Sequence, residues 1–166
     1  MKALWILGKV ALVAVLAGVF LVGVSGRPKS PKQPMAFSHK IHTGDNQIPC
    51  LYCHVNARRS IVAGIPSVQR CVGCHESIPS DKPGIEKLKE YWDRKEAIRW
   101  AKVTWMPDFV FFEHWPHIRA DLKCQTCHGR VETMDQMEQV NSLTMDFCVA
   151  CHRERKASID CATCHR

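Results

Sequence analysis

Ten cysteines fall in five copies of one pentapeptide, Cys-x-x-Cys-His, and no cysteine lies outside them. The copies are Cys50, Cys53 and His54; Cys71, Cys74 and His75; Cys124, Cys127 and His128; Cys148, Cys151 and His152; and Cys161, Cys164 and His165. Two thiols three residues apart, with an imidazole directly behind the second, form the attachment signature for c-type haem. The thiols make thioethers with the macrocycle, and the histidine sits beneath the iron as its proximal ligand. Histidine fills 9 of 166 positions, so five of five copies acquiring one by chance is on the order of one in a million. Zinc ribbons also use Cys-x-x-Cys, but four cysteines then share one ion and no histidine need follow each pair. A disulfide framework explains the even cysteine count and leaves the histidines unexplained. The pattern implies five covalently held haem c groups.

Such a load constrains the fold. Residues 34–166 offer only about 27 residues per macrocycle, too few to build a separate apolar core beside them. The macrocycles themselves must form the interior, with the peptide as a thin shell. The expected fold class is a multihaem cytochrome c: short α-helices carrying the motifs, irregular loops around stacked haems, and minimal β structure. One domain fits this better than two.

The formal net charge of +7 invites a nucleic-acid or acidic partner. Lys2, Lys9, Arg27, Lys29 and Lys32 supply five of those charges from the first 33 residues, which hold no acidic side chain. The remaining domain carries +2, and ten ionised propionates would take it to about −8 with ferrous iron or about −3 with ferric iron. A nucleic-acid partner is excluded on that ground.

Residues 3–24 contain a single charge, Lys9, and 10–24 are apolar or glycine throughout. As a helix this segment rises roughly 33 Å, enough to cross a hydrocarbon layer of about 30 Å. A cleaved signal peptide is the competing reading, with Val24-Ser25-Gly26 as a poor cleavage site. Length favours a retained transmembrane helix, so residues 1–33 are expected to be an anchor in the lipid bilayer followed by a proline-spaced linker. Lys2 and Lys9 before the span, against Arg27, Lys29 and Lys32 after it, weakly argue for the reverse orientation. Haem attachment outside the cytoplasmic membrane overrides that bias. The expected location is a bacterial inner membrane, with the haem domain on the periplasmic side.

Four histidines remain after the proximal five: His39, His42, His114 and His117. They form two copies of one element, Phe37-x-His39-x-x-His42 ahead of Cys50 and Phe112-x-His114-x-x-His117 ahead of Cys124. The domain thus reads as a duplicated two-haem unit, 34–82 and 107–152, with a fifth motif appended at 161–165. Side chains three apart on a helical turn can reach two different irons as distal ligands. Five irons and four spare histidines do not balance. One iron is either open, and so accessible to a small molecule, or takes a methionine, which raises its potential. Met134 is the favoured methionine, with Met137 and Met145 as alternatives, although each by itself suits core packing.

Between the units, 83–100 has the pattern of an amphipathic helix with Ile85, Leu88 and Trp92 on one stripe and Asp81 as N-cap. Residues 105–112 and 34–37 suit short strands over a haem edge. No glycine-rich phosphate loop, serine triad or carboxylate pair occurs, and no catalytic residue is assigned.

Phe-x-His-x-x-His followed by Cys-x-x-Cys-His resembles class III cytochromes, the cytochrome c3 and c7 group. Residues 37–54, 98–103, 107–128 with Cys-Gln-Thr-Cys-His-Gly, and Ser142-Leu143-Thr144-Met145 ahead of Cys148 together resemble the pentahaem membrane-anchored subunits of alternative complex III. That resemblance implies an electron-relay subunit, not an enzyme by itself, of a membrane quinol:electron-acceptor oxidoreductase. The implied partners are an integral-membrane subunit that oxidises quinol, an iron–sulfur subunit and a monohaem cytochrome c, with electrons relayed to that periplasmic cytochrome or to a terminal oxidase. By analogy with the cytochrome c3 group, His39 serves the first haem. Two other functions compete: a stand-alone membrane-anchored quinol dehydrogenase with one open-coordinated haem, and a soluble multihaem carrier.

Overall fold

The computed structural model describes Gly8, Lys9, Val13, residues 30–78 and residues 81–165. Those three isolated positions apart, the expected anchor over 3–24 lies outside the described residues, among which no helix is long and apolar enough to cross a membrane.

Thiols three residues apart project to one side only on a helical turn, and each motif lies on one. The α-helices are α1, Cys50–Cys53; α2, Val68–His75; α3, Pro83–Asp93; α4, His114–Arg119; α5, Gln125–His128; α6, Met145–Glu154; and α7, Cys161–Cys164. A π-helical turn, Lys40–Asp45, follows His39, and two 3-10 turns lie at Val55–Arg58 and Val131–Thr133. No strand occurs among the described residues.

Four residues are far too few for a helix to persist alone in water. The three shortest motif turns share one closure, in which the histidine N–H donates to the carbonyl of the first cysteine. The distances are 2.9 Å for His54 to Cys50, 3.0 Å for His128 to Cys124 and 2.9 Å for His165 to Cys161. α7 is also capped, with Asp160 Oδ1 accepting from the Ala162 N–H at 2.8 Å.

The helix expected over 83–100 is shorter. It starts on Pro83 after Lys82, not after an Asp81 cap, and ends at Asp93. Lys95 turns left-handed at φ +53°. Its N–H donates to the Trp92 carbonyl at 3.0 Å, and the Glu96 N–H donates to the Tyr91 carbonyl at 3.0 Å. That is a Schellman closure, with lysine where glycine is usual. Of the expected stripe, Leu88 is buried, Ile85 half-buried and Trp92 exposed. Residues 95–100 instead fold back toward the start of α2 and wall a cleft of about 960 Å³ that also involves Ile65, Val68, Tyr91 and Trp92.

The strands expected over 105–112 and 34–37 are absent, because neither segment finds a ladder to join. Phe111 N–H instead donates to the Cys164 carbonyl at 2.8 Å, so the second half clasps α7. Residues 30–38 run along 135–139, through Ser30 Oγ to the Met137 carbonyl at 3.1 Å and Ser38 Oγ to Asp135 Oδ1 at 2.9 Å. Among the described residues only Ala57 and Leu88 are buried. A chain of this length with so little peptide interior leaves its centre to something that is not peptide.

Candidate haem-binding centre

The two Phe-x-His-x-x-His elements adopt the same geometry. Phe37 meets the His39 ring edge-on at 4.9 Å and 87°, and Phe112 meets His114 at 4.8 Å and 86°. The same phenyl rings lie against the second histidine, Phe37 on His42 at 4.4 Å and Phe112 on His117 at 4.6 Å. In both copies the second imidazole donates Nδ1–H to the carbonyl four residues back, His42 to Ser38 at 2.7 Å and His117 to Glu113 at 2.8 Å. One aromatic ring thus orients two imidazoles at once.

Other carbonyls hold four more rings. His54 donates from Nδ1 to Gly64 at 2.6 Å, His114 to Ile61 at 3.0 Å, His152 to Ser158 at 2.6 Å and His165 to Phe109 at 3.2 Å. A carbonyl can only accept, so Nδ1 carries the proton and Nε2 keeps its lone pair. This is the arrangement by which a protein aims a histidine at a metal. His39 and His75 present buried Nδ1 atoms with no protein partner. Burial, then the neighbouring His54 and His42, hold His39 down at about 4. His75 is lowered by burial and by His42, and His128 by burial, His114 and His54. Neutral imidazole is the form that binds iron.

Spare and motif histidines face one another. The ring centroids of His42 and His75 lie 6.0 Å apart, those of His114 and His128 6.5 Å, and those of His117 and His152 6.0 Å. Two imidazoles sharing one metal, each through a bond of about 2 Å, would have centroids about 6 Å apart. His54 lies near enough to help lower the pKa of His39. The remaining motif histidine, His165, lies beside Phe109, ring to ring at 5.8 Å. The spacing of these rings, their tautomers and the scant peptide core all fit haem.

No disulfide joins any of the ten cysteines. Among the described residues no three His, Cys, Asp or Glu side chains converge as a site for a bare metal ion. Burial pushes the thiols of Cys53, Cys71, Cys124, Cys127 and Cys148 up. The methionines are dispersed. Met134 accepts the Lys40 N–H on its carbonyl at 2.9 Å, Met137 accepts Ser30 Oγ, and Met145 opens α6 with 67% of its surface exposed. The carbonyl partners of the imidazoles could not be read from sequence, since a backbone acceptor has no residue signature. The placement of Phe37 and Phe112 could, because each stands two residues before the first histidine of its pair.

Residues 110–166 match the family described as cytochrome c7 and related cytochrome c. The chain is also 34% identical over 98 residues to the menaquinone reductase multiheme cytochrome c subunit of Nitratidesulfovibrio vulgaris. That alignment covers 58% of this chain and 46% of the relative, so the chain spans less than half the length of that protein. The fold is that of a multihaem cytochrome c. It is helical, without strands among the described residues.

Proposed function

We propose that this chain is an electron-relay subunit of a membrane quinol:electron-acceptor oxidoreductase, carrying five haem c groups. The observation that supports it best is the pairing of spare with motif histidines at 6.0–6.5 Å, which closes both faces of an iron to small substrates. When bound, haem c supplies a one-electron ferric/ferrous couple. In this reading the residues only hold and tune. Cys50, Cys53, Cys71, Cys74, Cys124, Cys127, Cys148, Cys151, Cys161 and Cys164 fix the macrocycles, and His54, His75, His128, His152 and His165 are proximal ligands. His39, His42, His114 and His117 fill the opposite faces toward His54, His75, His128 and His152 in that order. The two-haem units are 34–82 and 107–152.

The likeness to a menaquinone reductase subunit supports quinone-linked electron transfer. An integral-membrane quinol-oxidising subunit, an iron–sulfur subunit and a monohaem cytochrome c are the proposed partners, with residues 3–24 as the inner-membrane anchor and the haem domain in the periplasm. Mass spectrometry should find five added macrocycles. The isolated protein should accept electrons from its partners and oxidise no quinol alone. Quinol oxidation by the isolated protein at the rate of intact membranes overturns the relay.

A second reading rests on His165, the proximal histidine left without a spare histidine. Its iron then takes a methionine or stays open, and an open iron favours a quinol dehydrogenase. Met145 opens the helix carrying Cys148, whose thiol neighbours Cys164, so it lies on that side. Met134 and Met137 lie along the Lys40 turn and Ser30. Carbon monoxide titration of the reduced protein separates the two cases. No binding is expected in the native protein and one site in Met145→Leu, whereas binding in the native protein supports the open iron.

A further inference from the structure

We infer that the five attachment sites form one unbranched file in the spatial order second, first, third, fourth, fifth motif. The two halves then meet through their first members, and the motifs of Cys71 and Cys161 are the ends where electrons enter and leave. The order itself rests on contacts in the fold; its meaning as entry and exit rests on the relay reading.

The file has four links. The second and first sites share one turn: His42 faces His75, and His39, three residues earlier and hence on the neighbouring part of the same helical face, lies beside His54. The third and fourth are joined in the same way by His114 and His117, which face His128 and His152. Cysteine neighbours agree, since Cys53 lies near Cys74 and Cys71, and Cys127 near Cys148 and Cys151.

The link between the halves is not a repeat of either. His114 donates to the carbonyl of Ile61, in the loop just after the first motif. The Lys40 N–H donates to the Met134 carbonyl, and Gly44 lies directly on the Glu132 carbonyl, so the turn carrying the first pair packs on the turn after the third motif. The Cys50 and Cys124 thiols are neighbours. By contrast α2, with the second motif, makes its ring contacts back into its own half: Arg70 over Tyr52 at 5.2 Å and His75 with His42. The last link is local. His152 donates to Ser158, Ser158 Oγ bonds Thr163 Oγ1 at 2.9 Å, and Cys148 lies near Cys164. Spatial order therefore departs from chain order at the start, and the iron of His165, the one without a second histidine, stands at a terminus.

Proton NMR of the fully loaded, reduced protein tests this through cross-relaxation between methyl groups of neighbouring macrocycles, assigned with His39→Met, His42→Met, His114→Met and His117→Met. Contacts are expected between second and first, first and third, third and fourth, and fourth and fifth. A contact between second and third, or between second and fifth, overturns the order. A variant with Cys71→Ala and Cys74→Ala should lose one contact, and one with Cys124→Ala and Cys127→Ala should lose two; equal losses in both overturn it as well. A protein with this order that passes no electrons to its partners would refute the relay reading and leave the file intact.

Discussion

At the scale of single residues, the histidines differ in who holds them and what they face. His117 donates Nδ1–H to Glu113, and its ring lies 6.0 Å from that of His152. Replacing it with alanine should convert one low-spin iron to a site that binds about one equivalent of carbon monoxide when reduced. The other low-spin signals in low-temperature EPR should be unchanged. The phenyl rings have a wider reach. Phe112 touches both His114 and His117, so Phe112→Ala should broaden the EPR signals of two irons together. It should also lower stability by about 1–2 kcal/mol in thermal unfolding, less than a fully buried phenyl costs because the ring is half-buried. Broadening of only one signal would show that the shared ring orients a single imidazole.

At the scale of elements, short helices and turns are stable only where something docks on them. The π-helical turn Lys40–Asp45 packs on the 3-10 turn Val131–Thr133 so closely that a Cβ on Gly44 would collide with the Glu132 backbone carbonyl. Backbone cannot swing aside as a side chain can. Gly44→Ala should therefore cost about 1–3 kcal/mol by overpacking, read as a lower melting temperature of the loaded protein. The contact between first and third sites should weaken while that between third and fourth persists. The helix that stops at Asp93 teaches the same lesson from the other side: the sequence pattern predicts a helix as far as Trp100, yet Lys95 turns the chain back. Hydrophobic periodicity registers which residues want cover, and tertiary docking decides whether a helix or a fold-back provides it.

At the scale of the whole molecule, the peptide has almost no interior of its own, with only Ala57 and Leu88 buried among the described residues. Chain produced without haem attachment should therefore lack protected amides in hydrogen exchange and melt without a cooperative transition; a cooperative apo transition would show that the shell folds alone. Sequence by itself determined which side chains can carry the chemistry, because thioether attachment demands two thiols at one spacing and an adjacent imidazole, and that demand is purely local. It also declared the repeat, through Phe37 and Phe112 at matching places before their histidine pairs. Only the tertiary structure decided which imidazole faces which, that 105–112 clasps the last motif in place of forming a strand, and that the halves join at Ile61 with His114 and Gly44 with Glu132. Those contacts run largely through backbone carbonyls far apart in the chain, and a carbonyl is the same at every residue, so no pattern of side chains could announce them.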